Sequence, residues 1–370
     1  MKNKNKQYCS NCVLNSDVPG VTINENGVCN ICQMDYIADS KLKYKKMMRK
    51  TLEFSEYIKS NKDMYDCMLM LSGGKDSLYV LSKLCEENDI RFLAYTLKHP
   101  YLTDDALCNL ESVLKKYDFD HVYIRCKDEI YQMMYQTIFR MKTRYNLFDS
   151  HRMACHVCVC FTIVSSYIYA VKMGIRYIII CTDPEQIGTM QMDIRHFIEI
   201  FEEIYGQKCL HDTFGRANIE TILNADKNSL PQFISPYASL IPYNKEIIVQ
   251  ELKDKGIYQG NTSLHKCKLS PVLYAYSLKK YKVYYGIIRL SNDVRQKKIK
   301  RETAISFLER YMNFMESVNL KKELMEDEKR ILKEIISSLY PPEEMPELFD
   351  FEFTNTLDIH HTAQMYNIDI

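Results

Sequence analysis

The residues with the clearest chemistry lie in a short loop around position 75. The loop reads Ser72, Gly73, Gly74, Lys75, Asp76 and Ser77. An apolar run with the length of a buried strand, 66–71, precedes it, and residues 78–84 follow with apolar side chains at helical spacing. A strand that passes through paired glycines into a helix directs backbone N–H groups outward, where the helix dipole favours an anion. The loop therefore predicts a phosphate site, to which Lys75 adds a positive charge and the serines add hydroxyl donors.

A helix cap is the simpler interpretation of the same loop. Asp76 or Ser77 would then accept hydrogen bonds from the first turn of the helix, and the glycines would only turn the chain. Cap chemistry requires neither paired glycines nor a lysine between two serines. We therefore favour the phosphate site.

A second set of reactive side chains lies near the N-terminus. Cys9 and Cys12, then Cys29 and Cys32, form two Cys-x-x-Cys pairs around a segment that contains proline and glycine. Four thiolates spaced in this way surround one ion tetrahedrally, which favours zinc in a closed, structural site. Four unrelated buried cysteines are the alternative, but the segment has few other apolar residues to pack with them. We predict a zinc ribbon that does not fold without its metal.

A third set of thiols lies further along the chain. Cys155 and Cys158 flank His156 in a loop or a first helical turn, where a helix N-terminus would lower the pKa of the thiols. With the distant Cys267 they would supply three thiolates for an iron–sulfur cluster of the [4Fe-4S] type, or for a second metal with an open position. Buried cysteines that only fill space are the alternative, and this is our interpretation of Cys160.

The elements that position these residues alternate between strand and helix. Apolar runs predict strands at 66–71, 90–97, 121–124 and 177–181, and helical patterns lie between them at 103–117, 129–144 and 159–173. Thr103 is a predicted N-cap, and Gly174 closes the last of these helices. Strands that are apolar throughout and alternate with helices favour an α/β fold with a doubly wound, mostly parallel sheet.

Ligands of such sheets bind beyond the carboxyl ends of the strands. Thr96 lies at the end of the second predicted strand, and Thr182 and Asp183 follow the fourth. We therefore expect these three residues to contact a nucleotide together with the loop.

Composition and hydrophobic periodicity predict five segments along the chain. They are a ribbon at 1–36, a linker helix at 37–62, the α/β domain with the phosphate loop at 63–235, a helical part at 236–340 and a tail at 341–370. The linker is rich in lysine, which indicates a solvated face, with a nucleic-acid surface as the alternative. A weakly patterned stretch with a predicted helix at 190–204, which carries Arg195, would shape the substrate pocket. Arg295 would either clamp an acidic or phosphate group of a substrate or pair with Asp293 or Glu302.

Composition and charge exclude several classes of function. The chain has 370 residues and a net charge of +1, so there is no global case for binding nucleic acid or an anionic membrane. No apolar run has the length needed to span a bilayer, and no signal-type stretch follows the basic N-terminus. The chain has 14 cysteines, and their clustering indicates metal or thiol chemistry in a reducing compartment. We expect a cytoplasmic protein without a membrane partner.

Three stretches resemble known families. The string SGGKDS after an apolar strand resembles the PP-loop of the N-type ATP pyrophosphatases, the adenine nucleotide α-hydrolase-like superfamily, whose fold is of the HUP type. The N-terminal YCSNCVLNSDVPGVTINENGVCNIC resembles the ribbon that opens the N-acetyl sugar amidotransferases of surface-polysaccharide biosynthesis. The stretch from His265-Lys266-Cys267 through LSNDVRQKKIKRETA resembles the C-terminal part of the same enzymes.

The resemblance implies an ATP-dependent enzyme that adenylylates an amide or carbonyl oxygen of its substrate, releases pyrophosphate and then replaces that oxygen. Residues 72–77 would bind ATP, Lys75 and Asp76 would act with Mg²⁺, and the four N-terminal cysteines would bind zinc. The implied substrate is a small molecule, an N-acetyl sugar, whose acetamido group becomes acetamidino with ammonia from a glutaminase partner. A homodimer is an open possibility.

One local feature departs from the sugar enzymes. Residues 181–186 read CTDPEQ where those enzymes show a Gly-Glu pair. A Cys-x-x-Cys with a distant cysteine also resembles sulfur-inserting PP-loop enzymes, in which Cys155, Cys158 and Cys267 would be catalytic and the substrate would be tRNA or a carrier-bound or small amide. A nucleotide-binding module without catalysis is the third hypothesis.

Overall fold

The computed structural model describes residues 7–317 apart from 19, 35, 87–88, 101, 141–146, 190–191, 259–276 and 278–281. The chain forms two compact units. The first comprises Met1–Tyr36, Tyr135–Cys155 and Asn261–Ile370, and the second comprises Ile37–Met134 and His156–Gly260. Each is described separately below.

The helices and strands have the following bounds. The helices are α1 Asn30–Gln33, α2 Tyr36–Tyr57, α3 Lys75–Glu86, α4 Asp104–Lys116, α5 Asp128–Arg140, α6 Leu147–Lys172, α7 Pro184–Thr189, α8 Ile194–Tyr205, α9 Gln207–Phe214, α10 Arg216–Asn224, α11 Lys245–Asp254, α12 Ile287–Arg295 and α13 Arg301–Ser317. The strands are β1 Cys67–Met70, β2 Phe92–Lys98, β3 Asp120–Arg125, β4 Tyr177–Ile179 and β5 Gln232–Ile234.

The second unit contains a five-stranded parallel sheet with the order β3-β2-β1-β4-β5. Central strand β1 pairs in register with both neighbours, so that Leu69 lies opposite Ala94 of β2 and Ile179 of β4. Helices flank the sheet, and β1 and β4 are buried along most of their length, as expected for strands covered on both faces. The predicted α/β fold with a parallel sheet is confirmed.

The strand order reverses beside β1. The chain passes from β1 to β2 and β3 on one side, and then adds β4 and β5 on the other side of β1. Doubly wound sheets bind their ligands in the crevice at such a reversal, beyond the carboxyl ends of the strands. The loop after β1 and the segment after β4 therefore meet where a ligand is expected.

Local sequence signals account for several element ends. The Thr103 hydroxyl accepts a hydrogen bond from the amide of Ala106, which makes it the N-cap of α4, as predicted. At the end of α6, Gly174 has φ +66°, and the amide of Ile175 donates to the Ala170 carbonyl at 2.9 Å. This pattern is a Schellman cap, in which glycine takes the left-handed conformation at low cost.

Helix α6 begins earlier than the sequence pattern predicts. We expected a helix at 159–173, but α6 spans Leu147–Lys172. The stretch contains neither glycine nor proline, so nothing interrupts the helix, although its first turns lack a clear apolar stripe. Cys155 and Cys158 therefore lie inside a helix, and the predicted lowering of their pKa by a helix N-terminus does not apply.

The first unit joins the N-terminal ribbon to α12 and α13 through one apolar core. The ribbon has isolated β-bridges between Tyr8 and Asn15 and between Ile23 and Cys29. Buried members of the core from the ribbon and from the helices include Val13, Leu14, Val18, Leu290, Phe307 and Tyr311. The shared core gives the small ribbon apolar support that its own short segment lacks. Across the described residues, no helix combines the length and apolar character that crossing a membrane requires.

Candidate functional site

The loop between β1 and α3 is shaped by its own serines. The Ser72 amide donates to the Ser77 hydroxyl at 3.2 Å, and the Gly74 amide donates to the Ser72 hydroxyl at 3.3 Å. The Ser77 hydroxyl in turn donates to the Gly74 carbonyl at 3.0 Å. Asp76 and Ser77 lie inside α3, which begins at Lys75, so the alternative in which either residue caps this helix is wrong.

Gly73 allows a close backbone approach that no other residue permits. It has φ +74°, and a Cβ at this position would lie 2.4 Å from the carbonyl oxygen of Ala106 and 3.1 Å from Cγ of Leu110. The Asn109 side chain donates to the Gly73 carbonyl at 3.2 Å and ties the loop to α4. The loop is therefore held against α4, and the first turn of α3 presents amides that have no partner within the helix.

Lys75 is held inside the site by two partners. Its Nζ lies 2.5 Å from Asp76 Oδ1 and donates to the Tyr243 hydroxyl at 2.9 Å. The Lys75 side chain is only 13% exposed, so the ammonium group is positioned in the site rather than spread into solvent. The Tyr237 hydroxyl donates to the Asp76 backbone carbonyl at 2.9 Å. The Tyr237 ring packs edge-on against the ring of Tyr243, with centroids 5.1 Å apart.

Both tyrosines reach the loop from the segment after β5, which the sequence pattern did not connect with the site. Tyr237 and Tyr243 are 161 and 168 residues from their partners in the chain. The chain has 28 tyrosines, so composition does not single out these two. Only the parallel pairing of β5 with β4 brings this segment to the carboxyl edge of the sheet.

The residues expected at the neighbouring strand ends occupy that edge in different ways. Thr96 is buried, and its hydroxyl donates to the Leu71 carbonyl at 2.7 Å, which ties β2 to the end of β1. Thr182 Oγ1 is buried and has no hydrogen-bond partner among the described residues. The Thr182 carbonyl accepts a hydrogen bond from the Ser235 hydroxyl at 3.2 Å, and half-buried Asp183 comes next. Nucleotide contacts by Thr96, Thr182 and Asp183 stay predictions.

The thiols of the middle segment are described only in part. Cys158 is half-buried in α6, whereas the Cys155 side chain and the whole of Cys267 lie outside the described residues, so the proposed three-thiolate cluster stays a prediction. Burial raises the pKa of Tyr131, and the nearby Cys158 and Cys126 raise it further. Cys126 directly follows β3 and so lies at the carboxyl edge of the sheet. Cys160 is buried, as expected for packing, and burial raises its pKa to about 12.

The N-terminal cysteines form a group that can hold a metal ion. The four Sγ atoms of Cys9, Cys12, Cys29 and Cys32 lie within 4.8 Å of one another. A tetrahedral zinc ion with bonds of about 2.3 Å separates its thiolates by about 3.8 Å, and the Sγ atoms of Cys12 and Cys29 are 3.8 Å apart. Backbone amides also point at the sulfurs: the Cys29 amide donates to Cys9 Sγ at 3.2 Å. Geometry and donor set both fit a four-thiolate metal site.

Two arginines of the first unit surround this cysteine group. Arg295 donates to Cys32 Sγ at 3.7 Å and to the Asn292 side chain. Arg301 Nε donates to the carbonyls of Cys9 and Cys12 at 2.8 and 3.1 Å. The guanidinium of Arg295 therefore lies at the cysteine group, and its predicted roles as a substrate clamp or as a partner of Asp293 or Glu302 stay predictions.

The charge of the cysteine group follows from these contacts. Hydrogen bonds from the thiols of Cys12 and Cys29 lower the pKa of Cys32 to about 3, and Arg295 contributes in the same direction. The same thiol hydrogen bonds raise the pKa of Cys12. These contacts therefore favour the thiolate form of Cys32, one of the four sulfurs that metal binding requires.

Comparison with known proteins adds a set of distant structural similarities. No protein-family model matches the chain, and no curated protein matches it. NMN synthetase from Francisella tularensis is 12% identical, with 72% of this chain and 94% of that chain covered and a TM-score of 0.34. The U34-tRNA thiolase NcsA from Methanococcus maripaludis with its [4Fe-4S] cluster is 15% identical, with coverage of 85% and 90% and a TM-score of 0.33. The NH3-dependent NAD synthetase from Campylobacter jejuni is 13% identical, with coverage of 73% and 96% and a TM-score of 0.31. At these values the similarity assigns no family.

Proposed function

We propose that this chain is an ATP-dependent enzyme of the PP-loop type, which adenylylates an amide or carbonyl oxygen and releases pyrophosphate. The observation that carries this proposal is the loop at the strand-order reversal, where Gly73 lies against α4 and Lys75 is held by Asp76 and Tyr243. A loop of this shape offers amides and one ammonium group to a diphosphate.

In the first step, the substrate oxygen attacks the α-phosphorus of ATP and pyrophosphate leaves. Negative charge accumulates on the leaving diphosphate, and the amides of the first turn of α3 together with Lys75 would stabilise it there. Because these donors are already positioned, little reorganisation is needed during the reaction. Buried Thr182 Oγ1, which has no partner among the described residues, is available to a bound nucleotide.

Asp76 is the residue that would hold Mg²⁺. Its side chain is 26% exposed in the first turn of α3, so its carboxylate is accessible at the loop. Mg²⁺ is bound by one or two carboxylates together with substrate phosphates, which fits a site with few protein oxygen ligands. When bound, the ion would neutralise phosphate charge.

In the second step, we propose that ammonia attacks the carbon of the activated group. The carbon–nitrogen bond forms, AMP leaves with the substrate oxygen, and the nitrogen loses a proton to give an amidine. An N-acetyl sugar is the proposed substrate and a glutaminase the proposed ammonia source, on the strength of the sequence resemblance in the ribbon and in the helical part. The four-cysteine group would bind zinc as a closed, structural site.

Sulfur insertion is the second candidate, and the position of Cys158 supports it. Cys158 is half-buried in α6 and close enough to Tyr131 to raise the pKa of that tyrosine. Sulfide from an external donor would attack the same adenylylated carbon of a tRNA or a carrier-bound amide; the carbon–sulfur bond would form and AMP would leave with the substrate oxygen. Cys158 would help to hold a metal or cluster that binds the sulfide. The first step is the same for both candidates.

Pyrophosphate release measured under anaerobic conditions tests the proposal. We expect ATP binding in the wild type, and release of pyrophosphate and AMP when an N-acetyl sugar nucleotide and ammonium are supplied. Lys75→Ala should abolish release, whereas Lys62→Ala, which changes an exposed lysine before β1, should leave it unchanged. Release that requires sulfide rather than ammonium, and that Cys158→Ala abolishes, would establish the second candidate. Failure of the wild type to bind ATP would refute both.

A further inference from the structure

A groove of about 630 Å³ lies in the second unit between α2, the start of α8 and the start of β5. Its lining is strongly basic, and we call it the basic groove. The basic residues that line it are Lys43, Lys46, Arg49, Lys50, Arg195 and Lys227. Only Glu53 and Asp193 contribute carboxylates to the lining. In a chain with a net charge of +1, this is a local concentration of positive charge.

The two carboxylates are already engaged. Asp193 caps α8 by accepting from the Arg195 amide at 3.1 Å, and it accepts from Lys227 Nζ at 2.9 Å. Glu53 lies 3.6 Å from Arg49 in an exposed pair one helical turn apart. These contacts leave an excess of positive charge in the groove.

Lys50 is a half-buried cation of the groove, and none of the described residues accepts a hydrogen bond from its Nζ. Burial lowers the pKa of Lys50, and the neighbouring positive charge of Lys227 lowers it further. A half-buried ammonium beside a like charge is unfavourable unless an anion joins them.

Arg195 provides a second, independent sign of a missing anion. Its Nη2 donates to the Ala225 carbonyl at 2.8 Å. Its Nε is buried and has no acceptor among the residues that the structure describes. A buried donor without a partner is unfavourable, so an acceptor at this position would be stabilising. The N-terminus of α8, which begins at Ile194, lies in the same lining and is already capped by the carboxylate of Asp193.

Part of the remaining lining is apolar and buried. Met47, Ile187, Leu230 and Phe233 are each at most 6% exposed and line the groove beside the cations. A pocket of this size with convergent charges and an apolar floor is typical of small-ligand sites. A nucleic-acid backbone would contact exposed lysines, but it would not reach a half-buried lysine and a buried arginine nitrogen.

The basic groove is distinct from the phosphate loop. Pro231 and Gln232 lie at the amino end of β5 and line the groove, whereas the loop follows the carboxyl end of β1. Because the strands are parallel, these positions are at opposite edges of the sheet.

We propose that the basic groove is a second anion site, which binds the phosphate groups of a small phosphorylated ligand through Lys50, Arg195 and Lys227. The apolar floor would accept the uncharged part of that ligand. The proposal does not depend on which atom the enzyme transfers, or on whether the phosphate loop hydrolyses ATP.

Isothermal titration with inorganic pyrophosphate tests the second site. We expect the wild type to bind pyrophosphate at two sites, Lys75→Ala to retain only the groove site, and Lys50→Gln with Lys227→Gln to weaken that site at least tenfold. Lys45→Gln is the matched control, because Lys45 is an exposed lysine of α2 outside the groove lining, and it should bind as the wild type does.

Thermal unfolding distinguishes the loss of the binding site from a loss of fold stability in a variant. Without ligand, Lys50→Gln should melt no lower than the wild type, because it removes an uncompensated charge, and it should lose the stabilisation by pyrophosphate that Lys45→Gln retains. Pyrophosphate binding that Lys75→Ala alone abolishes would overturn the proposal. So would groove variants that bind pyrophosphate normally but lose affinity for a single-stranded oligoribonucleotide, since the groove would then be an RNA surface. If the phosphate loop does not bind pyrophosphate, the wild type would show a single binding site, and Lys75→Ala would leave that site unchanged.

Discussion

Replacing Gly73 by alanine tests the backbone approach on which the phosphate site depends. The substitution meets two separate costs. A left-handed conformation costs a residue with a Cβ about 1–2 kcal/mol, and Gly73 has φ +74°. The new Cβ would also lie 2.4 Å from the Ala106 carbonyl oxygen, which belongs to the backbone of α4 and cannot rotate away.

Forcing extra volume into a packed site costs typically about 1–3 kcal/mol. We therefore expect Gly73→Ala to lower the free energy of unfolding by about 2–5 kcal/mol, or to push the loop away from α4 and abolish ATP binding. Gly174→Ala isolates the conformational cost, because Gly174 has φ +66° but a Cβ there meets nothing within 4 Å. That variant should lose only about 1–2 kcal/mol and bind ATP normally.

Urea unfolding gives the stability difference, and isothermal titration gives the ATP affinity of both variants. Equal losses of stability in Gly73→Ala and Gly174→Ala, together with wild-type ATP affinity in both, would refute the argument. The contact with Ala106 would then not shape the loop, and the interpretation of the paired glycines as a phosphate cradle would fail.

Three further predictions concern the lysine, the ribbon and the sheet. Tyr243→Phe removes a hydrogen bond to the charged Lys75, worth about 1.5–3 kcal/mol, so kcat/KM for pyrophosphate release should fall about 10- to 150-fold; an unchanged value would exclude a positioning role for this hydroxyl. Arg301→Ala removes the donor to two carbonyls of the cysteine group, and loss of such outer contacts weakens metal binding about 10–100-fold, which a competing chelator measures; equal zinc affinity would contradict this. Burial raises the pKa of Asp66, but hydrogen bonds from Arg91 outweigh it and hold the pKa below the usual 3.8. The ionised carboxylate therefore stabilises the fold above pH 3.8, and this contribution is lost as the pH falls through the lower folded pKa. Between pH 5 and pH 3, the free energy of unfolding, measured in urea, should fall less for Asp66→Asn than for the wild type. An equal fall in both proteins would show that the Asp66–Arg91 pair does not cause the acid dependence.

Features encoded in neighbouring residues were predictable from the sequence. The strand before Ser72, the N-cap Thr103 and the glycine that ends α6 each depend on contacts within a few residues, and the structure shows all three. The start of α6 was not predictable by periodicity, because its first turns lack an apolar stripe and only the absence of glycine and proline permits the helix.

The short strand at one edge of the sheet could not be predicted from hydrophobic periodicity. Strand β5 has three residues, Gln232–Ile234, too few to show a period. Its pairing with β4 nevertheless brings Ser235 to Thr182, and Tyr237 and Tyr243 to the phosphate loop. The contact of Arg295 with Cys32 spans 263 residues, and the interpretation from local spacing assigned this arginine elsewhere.

The sequence by itself determined the chemistry available to this protein: a glycine-rich loop with one lysine between strand and helix, and four cysteines at the spacing of a metal site. Both are local, because the residues that act together are close in the chain. Only the tertiary structure decided how that chemistry is positioned. The strand order places the loop at a reversal of the sheet, Tyr243 positions Lys75, and two arginines from α12 and α13 support the cysteine group. The basic groove likewise exists only because α2, α8 and the segment before β5, far apart in the chain, bring their cations together.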